Sequence, residues 1–133
     1  MSSVFYYAFA FNQNIGSWNV DSVTSMNAMF YVAKAFNQDI GSWNVDIVTS
    51  MHFMFGSVKT FNQDIGSWNV VSVMTMHKMF YDATAFNQDL RSWGQYYNSE
   101  VNYWGMFQYT TCPNKSDPAS VDGPWCLGHV SEL

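Results

Sequence analysis

The chain has 133 residues, a formal net charge of −5 and an aromatic content of 19%, but only 11% charged residues. Five basic residues with no basic cluster argue against nucleic acid, which needs Lys and Arg to neutralise phosphates, and against electrostatic docking on anionic lipid. With 48% hydrophobic residues the chain is not a disordered polypeptide, and its length suits one domain.

No apolar run approaches the roughly 18 to 20 residues of a membrane span, so no transmembrane segment is expected. The opening Met1-Ser-Ser-Val-Phe-Tyr-Tyr lacks a positive flank and a long aliphatic stretch, so it does not read as a signal peptide. It enters in the middle of a repeat, as a fragment of a longer protein would.

The repeat governs everything that follows. Phe5, Phe30, Phe55 and Phe80 are 25 apart, as are Phe11, Phe36, Phe61 and Phe86, and as are Trp18, Trp43, Trp68 and Trp93. The block Phe36-Asn-Gln-Asp-Ile-Gly-Ser-Trp-Asn-Val45 recurs almost unchanged at residues 11–20 and 61–70. A period of this size signals stacked coils, each burying its apolar side against a neighbour. The boundaries fall near 1–10, 11–35, 36–60, 61–85 and 86–93 onward. The repeats fill 1–93, and an irregular last repeat with a C-terminal cap fills 94–133.

Within residues 11–35, Ile15, Trp18 and Val20 carry the spacing L-x-x-L-x-L. Trp18 and Val20 alternate with Asn19, which predicts a short strand. Val23, Met26, Met29, Phe30 and Ala33 then follow at spacings of 3, 3, 1 and 3, which predicts a helix of two to three turns. Asp21, Ser22 and Thr24 offer N-cap oxygens before it. The expected fold class is therefore α/β: a right-handed leucine-rich-repeat-like solenoid with one short parallel strand and one short helix per coil. Columns of Trp, Phe, Met and Ile form its core.

The run Met26-x-x-Met-Phe-x-x-Ala-x-x-Phe-Asn-Gln-Asp-Ile-x-x-Trp-Asn-Val45 resembles the 25-residue repeat of BspA-like leucine-rich-repeat surface proteins. These occur in mycoplasmas, some other bacteria and microalgae. The likeness covers residues 5 to about 93 closely. The tail, from Thr111-Cys-Pro-Asn to Gly-Pro-Trp-Cys126, is similar to the end segment of algal members. The resemblance implies surface display, adhesion and partner binding, an extracellular or cell-surface location, and no catalytic residues. With that context Cys112 and Cys126, the only cysteines, are expected to form a disulfide closing the cap. Two free thiols in a reducing compartment are the alternative. Asn114-Lys-Ser116 is a candidate glycosylation site.

No nucleophile elbow, HExxH, CxxC, phosphate loop or dinucleotide fingerprint is present, and no enzyme activity or cofactor is expected. His52 and His77 share one repeat position, below Asn27. They read as exposed helix residues rather than a metal pair, which would need further ligands. His129 has no evident partner. Asn14, Asp39, Asp64 and Asp89 stack in a column. Each Asp is expected to accept backbone N–H bonds from the residues after it, such as Gly41 and Ser42, in an Asx-turn. A calcium ion shared by Asp39, Asp64 and Asp89 is the sharper alternative. Asn37, Gln38 and their equivalents read as structural amide ladders.

A partner is expected on the outward strand face: Ser17, Asn19 and Asp21; Ser42, Asn44 and Asp46; Ser67 and Asn69, with Val71 beside them. Such faces are the usual binding surface of solenoids. The aromatics Tyr96, Tyr97, Tyr103, Trp104 and Tyr109 either close the end of the core or form a docking patch. The leading function is a non-catalytic surface or secreted module that binds protein or glycan. One rival is a structural accessory subunit docked to a larger assembly through Tyr and Trp. That rival draws on the uncovered apolar residues of the first coil, Phe5 and Phe11, where flanking repeats or a partner would sit. Another is ice or mineral-surface binding through Ser, Thr and Asn columns, although Met74 interrupts the column of Thr24 and Thr49.

Overall fold

A computed structural model describes residues 1–127; His129 lies outside them. The 25-residue copies lie one on another, but they are built of turns. The expected strand and helix of each coil are absent, so the leucine-rich-repeat solenoid is not the architecture of this chain. Among the described residues the only helical element is a 3-10 helix at Arg91–Tyr96. Parallel pairing is reduced to single bridges, Ser25 to Ser50, Ser50 to Thr75 and Thr75 to Asn102, which never extend into a sheet.

The backbone explains why. Along the second repeat the amide groups alternate in purpose. Met26, Ala28, Phe30 and Val32 donate to the carbonyls of Ser50, His52, Met54 and Gly56 in the next repeat, at 2.8–3.0 Å. The amides between them turn back on their own chain: Met29 to Met26, Tyr31 to Ala28, Ala33 to Phe30. Ala28 and Val32 take positive φ, +53° and +60°, as do Phe53 and Ser57, then Lys78 and Asp82, one repeat further each time. A positive φ at the third residue of a four-residue turn is what a type II turn requires, and it ends any helix. The apolar spacing of three arises because the turns Ile15–Trp18, Val20–Val23, Met26–Met29 and Phe30–Ala33 each close on an apolar residue at both ends. Turn ends face inward with nearly the period of a helix.

The core is a ladder of rings. Phe5, Phe30, Phe55, Phe80 and Phe107 stack at centroid spacings of 5.6, 5.5, 5.5 and 5.8 Å. Phe11, Phe36, Phe61 and Phe86 form a second column at 5.8, 6.0 and 6.1 Å. Within each repeat the two rings lie 3.9–4.1 Å apart. Trp43, Trp68 and Trp93 are buried, and each indole N–H donates to the carbonyl of the preceding Ile15, Ile40 or Ile65. Burying these indole rings with each N–H paired avoids the cost of a buried, unpaired donor.

Polar columns hold the loops in register. The side-chain oxygen of Asn12 accepts the Asn37 amide, and Asn37 and Asn62 repeat the bond to Asn62 and Asn87. Gln38, Gln63 and Gln88 donate to the same asparagines. Asn14, Asp39, Asp64 and Asp89 each accept the amide two residues on, at 2.9–3.0 Å. Glycine follows three of them because the next repeat passes close: a Cβ on Gly41 would sit 2.8 Å from the Asp64 carbonyl oxygen. Arg91, at the fourth position, instead pairs bidentately with Asp89.

Phe107 follows Phe80 by 27 residues, two more than the period, and within that longer interval falls the 3-10 helix. Beyond it Met106 and Phe107 return to register, and the Phe80 amide donates to the Met106 carbonyl at 3.0 Å. Cys112 and Cys126 are joined in a disulfide, both buried. The closed loop carries Trp125 against Tyr97 and Tyr103, over the end of the core.

Candidate functional site

The structure divides the sequence-predicted residues into two sets. Ser17, Asn19, Asp21, Ser42, Asn44, Ser67 and Asn69 are exposed, and Asp46 is half-buried. Their polar groups largely serve the frame. Ser42 and Ser67 donate to the Gly16 and Gly41 carbonyls of the preceding repeat. Asn19, Asn44 and Asn69 accept the amides of Asp21, Asp46 and Val71. The Asp39, Asp64 and Asp89 carboxylates are likewise engaged in their Asx-turns, and Gly41 supplies the N–H while the Ser42 hydroxyl turns to Gly16. Among the described residues no three His, Cys, Asp or Glu side chains converge as metal ligands. Asn114 is half-buried, and its side-chain oxygen accepts the Ser116 amide. Thr49 directs its hydroxyl to the Thr24 carbonyl.

The five late aromatics do not form one patch. Tyr97 and buried Tyr103 stack at 5.6 Å and meet Trp125 over the core end, with Tyr96 packed against the core. Burial raises the Tyr103 phenol above its ordinary value. Trp104 and Tyr109 lie elsewhere, exposed on the face of the positive-φ turns, against His77 and Tyr81 respectively.

That face joins Trp104 and Tyr109, two of the docking candidates, to aromatic and histidine side chains of the earlier repeats, a grouping that the sequence did not show. It runs from Tyr6, Tyr7 and Phe9 through Tyr31, His52 and Phe53 to His77, Tyr81, Trp104 and Tyr109. Tyr6 stacks on Tyr31 at 5.5 Å, Tyr31 meets Phe53 edge-on at 5.3 Å, and His52 stacks on His77 at 4.8 Å. The two histidines are thus half-buried partners on a turn, not exposed helix residues. The Lys78 ammonium lies over Phe53, Tyr81 and Trp104 at 5.6, 4.9 and 4.9 Å, a cation–π arrangement. Burial, then His77, then Lys78 hold the His52 imidazole below its ordinary value, and burial and Lys78 do the same to His77. Both are neutral at neutral pH.

A recess of about 240 Å³ opens on this face, lined by Tyr6, Ala28, Tyr31, His52 and Phe53. Its origin lies in the repeat positions that vary. One column reads Ser3, Ala28, Phe53, Lys78; another reads Tyr6, Tyr31, Gly56, Tyr81. Short Ala28 above large Phe53 leaves the gap. Gly56 lets the walls close up, since a Cβ there would lie 2.8 Å from Tyr31 Cδ2 and 3.0 Å from Phe53 Cδ1. The His52 Nε2 is buried with no hydrogen-bond partner. The available signal was this variation, set between Met and Phe columns that stay constant.

A frame of stacked 25-residue repeats, each built of four-residue turns and carrying a varied face, defines the class: a repeat protein. The chain belongs to the family described as Mycoplasma protein of unknown function, DUF285, which matches residues 1–119. No curated protein and no solved structure matches it.

Proposed function

We propose that the chain is a non-catalytic interaction module, secreted or displayed at the cell surface, that binds a protein or glycan through its aromatic turn face. The observation carrying this reading is the division of labour within one repeat. Positions in the core and in the polar ladders hardly change from copy to copy, whereas those on the turn face change freely among Ser, Ala, Tyr, His, Phe and Lys. Exposed apolar surface of that kind, set on a rigid scaffold, suits a partner. Trp104, Tyr109 and Tyr6 are 55%, 64% and 50% exposed. Tyr and Trp are also the side chains that anchor interfaces.

The finer reading is a BspA-like surface protein. It rests on the repeat resemblance and on the buried disulfide, which fits an oxidising compartment. Among the described residues no helix is long and apolar enough to cross a membrane. The test is a binding screen of the oxidised chain against purified surface proteins and oligosaccharides. Hits lost on Tyr7→Ala or Trp104→Ala support the reading, and a screen with no hits overturns it. The same aromatics suit docking to a larger assembly, for which co-purification at a defined stoichiometry is the corresponding result.

A further inference from the structure

We propose that the open end of the stack, the outer face of residues 1–25, is an interaction surface for one more coil of the same 25-residue turn pattern, carried by a partner protein. It lies at the stack end and not on the turn face, so it goes beyond the interaction-module reading and is tested apart from it.

Every junction between repeats uses one set of bonds. The amides of Ser3, Phe5 and Tyr7 donate to the carbonyls of Asn27, Met29 and Tyr31, and their equivalents do the same at the next three junctions, all at 2.7–3.0 Å. Other groups donate in the opposite direction. The Thr49 and Met74 amides reach the carbonyls of Thr24 and Thr49. The Asn37, Asn62 and Asn87 amides reach the preceding asparagine oxygen, and the Trp43, Trp68 and Trp93 indoles the preceding isoleucine carbonyl. The first repeat presents both halves of this set with nothing opposite them. Among the described residues the carbonyls of Ser2, Val4 and Tyr6 accept no hydrogen bond, and the amides of Asn12 and Thr24 and the Trp18 indole N–H donate none. The same face holds Phe5 and Phe11, half-buried where Phe30 and Phe36 are fully buried, and Trp18, 42% exposed where Trp43 is 4%.

That mixture of groups selects the occupant. An apolar side chain laid on Phe5 and Phe11 covers the rings but leaves the carbonyls and indole it shields unpaired, which is costly once water is excluded. A lone extended strand pairs with the Ser2, Val4 and Tyr6 carbonyls and leaves the Asn12, Thr24 and Trp18 donors without acceptors. A second copy of this chain brings no matching face. At its other end Phe86, Trp93 and Phe107 are fully buried, and its own open end, with Phe5 set over Phe5, opposes carbonyl to carbonyl. One coil of the same pattern supplies alternate amides, a ring pair and the acceptor oxygens in a single piece.

The probe is a peptide with the sequence of residues 26–50, offered free and, in a second protein, joined in register ahead of Met1. The full oxidised chain is labelled with heavy nitrogen and its N–H groups are followed by NMR. The Asn12 and Thr24 amides and the Trp18 indole N–H are expected to shift with either form, and to exchange at least about tenfold more slowly in the joined one. A free peptide N-methylated at the position matching Phe30, which cannot donate to the Val4 carbonyl, is expected to bind about tenfold more weakly. Joining removes the cost of bringing the two pieces together, so a joined copy that leaves the three N–H groups exchanging freely overturns the proposal. Equal protection by a joined scrambled sequence of the same composition also overturns it, because any apolar segment would then serve. Concentration-dependent dimerisation of the unmodified chain that protects the same groups assigns the face to a second copy and overturns it too. Trp104→Ala, on the turn face, is expected to leave peptide binding unchanged, so failure of the turn-face reading and failure of this one are read separately.

Discussion

Phe55→Ala probes whether the ring ladder holds the stack together. Phe55 is fully buried, with Phe30 and Phe80 at 5.5 Å on either side and Phe61 at 4.1 Å beside it. Truncation removes the ring contacts to Phe30, Phe61 and Phe80, and a more distant one to Trp68 at 6.5 Å, and leaves a cavity. The neighbours cannot easily move in, because the Phe30 amide is bonded to the Met54 carbonyl at 3.0 Å and the Phe55 amide to the Met79 carbonyl at 2.8 Å. Closing the gap means breaking those rungs. A loss near the upper part of the usual range for Phe→Ala, about 4 kcal/mol, is therefore expected. Phe5 is half-buried and has one column neighbour, Phe30, among the described residues, so Phe5→Ala is expected to cost about half as much. Urea titration followed by indole fluorescence and by circular dichroism measures both, with coincident transitions and an unchanged slope as the check on two-state behaviour. Equal costs at the two sites, or a cost for Phe55→Ala below about 1.5 kcal/mol, would refute a core whose rungs hold its rings in place.

Three further outcomes follow from the same structure. Val32 is β-branched at φ +60°, a conformation costing L residues about 1–2 kcal/mol that asparagine tolerates better. Val32→Asn is accordingly expected to raise the melting temperature, and a fall would show that its packing outweighs the strain. Reducing the Cys112–Cys126 bridge, whose sequence separation is 14, is expected to destabilise the cap by about 3 kcal/mol in the chain-entropy model. Thiol titration paired with thermal melts checks this, and a melt insensitive to reductant contradicts it. His52 and His77 are held below the ordinary 6.5, principally by burial. The unfolded chain therefore takes up their protons first, and their contribution, complete above 6.5, is lost as the pH falls below it. Asp89, held below 3.8 chiefly by the Arg91 hydrogen bond, adds stability above 3.8 that fades on further acidification. Melting temperature is expected to be level near neutral pH and to decline below about 6.5. A decline of the same size in the double variant His52→Asn, His77→Asn would refute the assignment to histidine.

Sequence alone determined the 25-residue period, and with it which side chains share a column. Identical Phe, Trp and Met positions had to become the core, because no single repeat can bury them. The repeated Asn and Asp were legible as ladders and Asx-turns, since their chemistry is local and recurs at fixed spacing. The disulfide was legible once the tail's resemblance supplied an oxidising context. The backbone of Val23 to Ala33 was not legible. A run of four-residue turns and a helix both bring residues spaced three or four apart to one side. What separates them is whether the Met26, Ala28, Phe30 and Val32 amides bond within the chain or to Ser50, His52, Met54 and Gly56 one repeat away. Only stacking provides those carbonyls, so only the tertiary structure decided between turns and helix. It decided the turn face for the same reason. Ala28, Phe53 and Gly56 are unremarkable singly, and they form a walled recess because superposed repeats put a small residue over a large one.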